Sequence, residues 1–128
     1  MAKRIFIAED DPALRTLLAD ILTDEGYDVE LAEDGNEAKA KLEQSAYDLV
    51  VLDYMMPGCT GVEVTEHVRA STGANRDAPI VLLTAKAQEK DRERARQAEV
   101  TAYVVKPFRP TEFLASVGAL LNGAGGNA

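Results

Sequence analysis

Two short apolar runs constrain the fold of this chain more than any other feature of its sequence. Leu49 to Leu52 are four consecutive apolar residues that end at Asp53, and "IVLLT" at 80–84 is a second run of the same kind. Strands that read as unbroken apolar runs are typical of a parallel sheet covered by helices on both faces. The sequence therefore predicts an α/β protein built on a buried parallel sheet.

The segments around these two runs alternate between strand and helix patterns. The first helix is expected to begin at Pro12, with Asp11 as its N-cap, and to stop at Gly26. Further strands are predicted at 5–8, 29–31 and 103–105, and further helices at 36–44, 61–70, 88–99 and 111–121. Five strand–helix pairs predict a doubly wound, five-stranded parallel sheet flanked by five helices, with right-handed crossovers.

Length, charge and cysteine content narrow the class of protein. The 128 residues fit one domain, predicted at 1–121, followed by a flexible Gly-rich tail at 122–128 and no second domain. The net charge of −8 argues against a direct grip on nucleic acid or on an anionic membrane. With Cys59 as the single cysteine, no signal peptide and no membrane span, we expect a cytoplasmic protein.

Polar residues collect where the predicted strands end. Glu9, Asp10 and Asp11 follow the first strand, Asp53 ends the third, Thr84 ends the fourth, and Lys106 follows the fifth. In open parallel sheets, function lies outside the carboxyl ends of the strands, so we expect these side chains to share one edge.

The residue types at this edge indicate a particular chemistry. Clustered carboxylates repel one another, and an all-oxygen ligand set suits Mg²⁺ or Mn²⁺ better than zinc. A lysine and a threonine hydroxyl suit phosphoryl oxygens, and a carboxylate such as Asp53 can attack phosphorus. The residues alone thus predict a Mg²⁺-dependent site that phosphorylates its own aspartate.

Four motifs in order resemble the response regulator receiver domains of two-component signalling. They are "IFIAEDD" at 5–11, "LVVLDYMMPGCTG" at 49–61, "PIVLLTA" at 79–85 and "YVVKPF" at 103–108, within a resemblance that covers about residues 3–121. The resemblance implies a flavodoxin-like fold with strand order 2-1-3-4-5; the chemotaxis receiver is the standard illustration of that order.

The resemblance also implies a role for each residue at the strand ends. Asp53 would be the phosphoacceptor, Asp10 a direct Mg²⁺ ligand, and Glu9 an acid that acts mainly through water. The backbone carbonyl of Met55 would complete the protein's share of the metal ligands. Thr84 would bind the phosphoryl group and move toward it on activation.

Three further features are implied by the same resemblance. Lys106 would pair with Asp53 or its phosphate, and the Lys106–Pro107 bond would be cis. Tyr103 would be the switch aromatic that swings inward when Thr84 moves. Apart from the resemblance, the mixed charges of the fourth helix fit equally well a simple solvated face and a docking face for the output around Lys90, Tyr103 and Phe113.

The implied function is that of a single-domain response regulator and not of an enzyme acting on a separate substrate. Its phosphoryl donor would be a histidine kinase, a phosphotransfer protein or acetyl phosphate, and its output partner a second protein. The chain itself would be a monomer or a weak homodimer. His67 lies within a helix, away from every strand end, and is not expected to carry the phosphoryl group.

Some positions depart from the family pattern. The family's Gly-Ala step is replaced by Glu99 and Val100, so we expect the fourth helix to end differently. Arg109 replaces a capping Ser or Asp before the last helix, which should leave that helix uncapped. Met55 and Lys86 offer no general base beside the site, which predicts slow self-hydrolysis of the phosphorylated protein.

Two alternatives from other classes fit the residues less well. An aspartate phosphatase similar to haloacid dehalogenases would carry a second Asp where this chain has Met55. A flavin-binding flavodoxin-like module would carry a Ser/Thr/Gly-rich phosphate loop where this chain has Glu-Asp-Asp-Pro. Simpler interpretations of single residues, such as Asp53 as a loop acid, do not explain why the strand ends match together.

Overall fold

A computed structural model describes residues 2–85 and 88–122 of the chain. Ten elements alternate strictly between strand and helix. The strands are β1 (Arg4–Ala8), β2 (Asp28–Ala32), β3 (Leu49–Asp53), β4 (Ile80–Thr84) and β5 (Ala102–Val105). The helices are α1 (Pro12–Asp24), α2 (Gly35–Gln44), α3 (Gly61–Ala70), α4 (Glu89–Gln97) and α5 (Pro110–Leu121).

All the strands join one parallel sheet in the order β2-β1-β3-β4-β5. The predicted fold class and the implied strand order are both confirmed. Every residue of β3 and of β4 is buried, as their unbroken apolar runs predict. The predicted element bounds agree with the structure to within about two residues, the usual uncertainty of a helix end.

Alternate residues of the strands feed two separate hydrophobic layers, because successive side chains of a strand point to opposite faces. One layer joins the sheet to α1 and α5, and the other joins it to α2, α3 and α4. The sheet is therefore shielded on both faces. Its polar residues emerge at the edge formed by the carboxyl ends of the strands.

The start of α1 shows how local sequence directs the chain away from that edge. Asp11 is the N-cap, and its side chain accepts a hydrogen bond from the backbone N–H of Ala13 at 3.0 Å. Pro12 occupies the first helical position, where its missing N–H costs nothing. Gly26 follows the helix with a φ of 94°, in the left-handed region that glycine tolerates.

The end of α4 differs from the prediction made from its missing glycine. Glu99 adopts the left-handed conformation itself, with a φ of 69°, so the chain turns as it would at a glycine. The guanidinium of Arg69 donates two hydrogen bonds to the carbonyl of Glu99, at 3.1 and 3.0 Å. These charge-assisted bonds from α3 stabilise a conformation that is costly for a residue with a Cβ atom. The expectation of a different helix end was therefore wrong.

The start of α5 combines a confirmed and a corrected expectation. Arg109 provides no side-chain cap, as predicted, since a guanidinium has no acceptor atom. Glu112 nevertheless accepts a hydrogen bond from the backbone N–H of Arg109 at 2.9 Å. One half of a capping box is therefore present.

Candidate functional site

The carboxyl ends of four neighbouring strands bring the predicted site residues together. Ala8 pairs in register with Leu52, and Asp53 pairs with Leu83. The residue that follows β1 therefore lies beside the last residue of β3. The side-chain nitrogen of Lys106, which follows β5, reaches across this edge to Asp53 Oδ1 at 3.1 Å and to Glu9 Oε1 at 3.4 Å.

Three carboxylates form a cluster at this edge. One oxygen each of Glu9, Asp10 and Asp53 lies within 4.8 Å of the other two. Glu9 is completely buried and Asp53 is 5 % exposed, whereas Asp10 faces solvent. Two of the three negative charges are thus held close together and shielded from water.

Burial and the neighbouring groups shift the pKa of Glu9. The pKa of Glu9 is raised to about 7, mainly by burial and also by the hydrogen bond and charge of Asp53. The backbone N–H of Asp11 and the charge of Lys106 act to lower this pKa. Burial and the neighbouring Asp53 thus oppose the charged form of Glu9, and the ammonium of Lys106 offsets them only in part.

Lys106 is the positive partner of the cluster. Burial lowers the pKa of Lys106, but its hydrogen bond to Asp53 and the charges of Asp53 and Glu9 outweigh that effect and raise the pKa. The ammonium therefore stays charged beside Asp53. The cis bond expected at Lys106–Pro107 is also confirmed.

The oxygen ligands at this edge fit a divalent cation such as Mg²⁺. Glu9, Asp10 and Asp53 supply hard oxygen donors that lie within 4.8 Å of one another, and a cation would compensate their charge. Met55 lies in the loop just beyond Asp53, with an exposed side chain, and the role of its backbone carbonyl as a metal ligand stays a prediction.

The loop that follows Asp53 is closely packed. A Cβ atom at Gly61, the first residue of α3, would lie 2.4 Å from the carbonyl oxygen of Asp53. Gly58 has a φ of 85°, and the N–H of Gly35 at the start of α2 donates to the carbonyl of Pro57 at 3.1 Å. Gly58 thus permits the turn, and Gly61 permits the close approach of α3 to the carbonyl of Asp53.

Thr84 and Tyr103 lie on the other side of Asp53, toward β5. Thr84 is 1 % exposed, and its side chain is hydrogen-bonded to that of Tyr103. Burial raises the pKa of the Tyr103 hydroxyl, although the hydrogen bond to Thr84 acts to lower it. The guanidinium carbon of Arg92 in α4 lies 4.8 Å from the centre of the Tyr103 ring. Tyr103 is therefore connected both to the site edge and to α4.

The proposed docking face around Lys90, Tyr103 and Phe113 needs a correction. Lys90 is exposed and Tyr103 is partly exposed, but Phe113 is completely buried. Phe113 packs in the layer formed by α1 and α5, whereas Tyr103 packs in the layer on the opposite face of the sheet. Phe113 and Val117 are four apart and both face inward, so this aromatic residue cannot contact a partner protein.

Two other residues singled out by the sequence, His67 and Cys59, have partners in α2. His67 pairs with Glu43 of α2, with 2.8 Å between Nε2 and Oε2. Cys59 is partly exposed, and its thiol contacts Oδ1 of Asn36 at 3.4 Å. Lys86 and most of the predicted tail lie outside the described residues.

The sequence did not single out Arg15 or Arg92. Arg15 in α1 donates from Nη1 to the carbonyl of Glu9 at 2.8 Å, and Arg92 stacks on Tyr103. Both contacts depend on how a helix packs against the sheet. The one available signal was a basic residue at a helical spacing from an acidic turn, which is common on solvated faces.

Comparisons with known proteins agree with this geometry. The family model described as "Response regulator receiver domain" matches residues 5–118. The transcriptional regulatory protein ResD of Bacillus subtilis is 40 % identical over 121 residues, which are 94 % of this chain and 49 % of ResD. The DNA-binding response regulator MtrA of Mycolicibacterium smegmatis is 39 % identical over 121 residues, which are 94 % of this chain and 51 % of MtrA. The chain thus spans about half the length of these relatives.

Solved structures show the same fold. The receiver domain of a sensor histidine kinase from Pseudomonas aeruginosa PAO1, which has a magnesium ion coordinated in its active-site cleft, matches with a TM-score of 0.87 at 32 % identity over 95 % of this chain and 99 % of that one. Chemotaxis protein CheY4 of Vibrio cholerae matches with a TM-score of 0.88 at 29 % identity over 94 % and 99 % of the two chains. In the part of this chain that the structure describes, no helix combines the length and apolarity needed to cross a bilayer.

Proposed function

The chain belongs to the response regulator receiver domain family of two-component signalling, and from this premise we propose that Asp53 accepts a phosphoryl group in a Mg²⁺-dependent transfer. The donor is the phosphohistidine of a histidine kinase or phosphotransfer protein, or acetyl phosphate. The product is a protein with a changed binding face. Family membership disfavours the phosphatase and flavin-module alternatives.

One observation carries this proposal. Asp53 lies at the tip of a buried strand, with the Lys106 ammonium 3.1 Å from its Oδ1 and with carboxylate oxygens of Glu9 and Asp10 within 4.8 Å. A nucleophilic carboxylate, a fixed positive charge and a set of cation ligands are the parts that phosphoryl transfer needs, because the chemistry depends mainly on positioning and charge stabilisation.

In the proposed step, a carboxylate oxygen of Asp53 attacks the phosphorus atom of the donor. The new bond is an acyl phosphate O–P bond, and the P–N bond of the phosphohistidine breaks, with its electron pair returning to the imidazole, which takes up a proton. Lys106 remains protonated and stabilises the transferred oxygens. The Thr84 hydroxyl donates to a phosphoryl oxygen from the β4 side.

Asp10, Asp53 and the backbone carbonyl of Met55, with Glu9 acting mainly through water, would hold Mg²⁺, which would supply further positive charge beside the phosphoryl oxygens. The acidic side chains then serve the reaction by binding the cation and keeping it beside Asp53.

An apolar groove beside Lys106 suits the protein that carries the phosphohistidine. It has a volume of about 460 Å³ and lies between α1 and the segment before α5. Leu17, which is 49 % exposed, lines it together with Leu14, Ile21, Ala85, Pro107, Phe108 and Pro110. Such a surface favours a protein donor that presents an apolar helix face next to its histidine.

Tyr103 and the exposed part of α4 form the proposed output face. Thr84 is hydrogen-bonded to Tyr103, so a shift of Thr84 toward the phosphoryl group alters the position of the ring and of Arg92 stacked on it. A protein is the proposed target, since the net charge of −8 opposes direct contact with nucleic acid. Dephosphorylation is proposed to be slow, since Met55 provides no base to activate water.

Intact-mass spectrometry after incubation with acetyl phosphate tests the proposal. We expect the mass of one phosphoryl group to be gained with Mg²⁺ and not in EDTA, and no gain for Asp53→Asn. Asp20→Asn, which removes an exposed carboxylate on α1 away from the site, is the matched control and should react as the wild type does. Phosphorylation of Asp53→Asn, or equal reaction in EDTA, would contradict the assignment.

A further inference from the structure

Arg15 links α1 to the turn that follows β1. Its side chain is half-buried, and Nη1 donates to the carbonyl of Glu9 at 2.8 Å and more weakly to the carbonyl of Asp10 at 3.4 Å. Both acceptors are backbone oxygens of the residues whose side chains belong to the carboxylate cluster. The guanidinium therefore contacts the backbone of this turn.

The same turn is restrained at its other end. The backbone N–H of Asp11 donates to Oε2 of Glu9 at 3.1 Å, and the side chain of Asp11 caps α1. Arg15 lies one helical turn beyond Asp11, and its own N–H donates to the Asp11 carbonyl at 2.9 Å. The turn, the cap and the guanidinium thus form one connected unit, in which Arg15 supplies the contact to the end of β1.

We propose that Arg15 is a positioning residue of the cation site, which holds the Glu9–Asp10 backbone so that both carboxylates face Asp53. The assignment rests on the proposed Mg²⁺ site and adds to it a residue outside the ligand set. The guanidinium acts through hydrogen bonds to carbonyls and touches neither the cation nor the phosphoryl group.

Positioning and simple charge predict opposite results, which makes the role of Arg15 testable. A positive charge near a cation site opposes cation binding, so if Arg15 acted by charge alone, its removal would tighten Mg²⁺ binding. If Arg15 holds the turn, its removal lets the two carboxylates separate, and the free energy of Mg²⁺ binding then includes the cost of ordering them. Binding weakens in that case.

Isothermal titration calorimetry with Mg²⁺ alone distinguishes these outcomes. For Arg15→Met we expect the dissociation constant to rise at least about fivefold, as for the loss of a hydrogen bond from a charged donor. Arg15→Lys, which keeps a charged donor, should restore affinity to within about twofold of the wild type. Arg76→Met, which removes an exposed arginine side chain in the segment before β4, is the matched control for net charge and should bind as the wild type does.

Circular dichroism and urea unfolding in EDTA separate positioning from general damage. The three variants should retain the wild-type spectrum, and if Arg15→Met does not fold, Arg15→Gln takes its place in the titration. Mg²⁺ binding by Arg15→Met, or by the Gln variant, as tight as or tighter than that of the wild type would overturn the positioning role. Absence of Mg²⁺ binding by the wild type would instead overturn the proposed function and the assignment with it.

Discussion

Replacing Glu9 by Gln should stabilise the protein in the absence of Mg²⁺, and the gain should depend on pH. Glu9 is completely buried beside Asp53, and its pKa is raised from 4.5 to about 7. Glutamine has nearly the same shape and is always neutral. The variant therefore removes the cost of holding a carboxylate at this position and keeps the packing.

The sign and size follow from proton linkage. Between the unfolded pKa of 4.5 and the folded pKa of about 7, the folded protein binds the proton more tightly than the unfolded chain does, so stability falls as pH rises through this interval. Each pKa unit corresponds to about 1.4 kcal/mol, and the whole interval therefore costs the wild type about 3 kcal/mol above pH 7.

Urea unfolding in EDTA measures the difference directly. We expect Glu9→Gln to exceed the wild type by about 1 kcal/mol near pH 5.5 and by about 3 kcal/mol near pH 8. Asp20→Asn, which removes an exposed charge on α1, should show no such growth with pH. A Glu9→Gln variant that is no more stable at pH 8 than the wild type, or whose gain is the same at both pH values, would refute the reasoning.

Three further predictions concern the cation, the loop next to Asp53 and the end of α4. Mg²⁺ should bind more weakly as pH falls below about 7, because protons compete with the cation for the buried carboxylate of Glu9. A Mg²⁺ affinity that calorimetric titrations find unchanged between about pH 6 and 8 would contradict this prediction. Gly61→Ala should lower the free energy of unfolding by about 2 kcal/mol, because the new Cβ would lie 2.4 Å from the carbonyl oxygen of Asp53. In the control Gly118→Ala the new Cβ has no atom within 4 Å, so the free energy of unfolding should rise by up to about 1 kcal/mol. Arg69→Met should lower the free energy of unfolding, measured by heat or urea, by about 2–4 kcal/mol. The loss should be smaller in a Glu99→Gly background, because glycine removes the backbone strain that the arginine offsets. Equal losses in both backgrounds would show that the two residues are not coupled.

Much of the fold was predictable because its signals are local. The unbroken apolar runs of β3 and β4 indicate burial on both faces, as in a parallel sheet covered by helices. Asp11 and Pro12 mark the start of α1 through capping chemistry that involves neighbouring residues. Given the strand ends, the meeting of Glu9, Asp53 and Lys106 at one edge follows from parallel topology.

Contacts between elements were not predictable in this way. Glu99 takes a left-handed conformation that the absence of glycine argued against, because Arg69, thirty residues earlier, binds its carbonyl. Phe113 was predicted on the docking face, although its spacing to Val117 also fits burial, and the packing of α5 against the sheet decides between the two. These outcomes depend on residues far apart in the chain.

The sequence by itself determined the alternation of strands and helices, the sheet they form and the chemical character of its polar edge, because hydrophobic period, caps and residue type act over a few positions. Only the tertiary structure decided that Arg15 contacts the acidic turn, that Arg92 stacks on Tyr103, and that Glu9 is buried deeply enough for its pKa to reach about 7. Distance and desolvation set the strength of each of these interactions, and both are fixed only when the helices pack on the sheet.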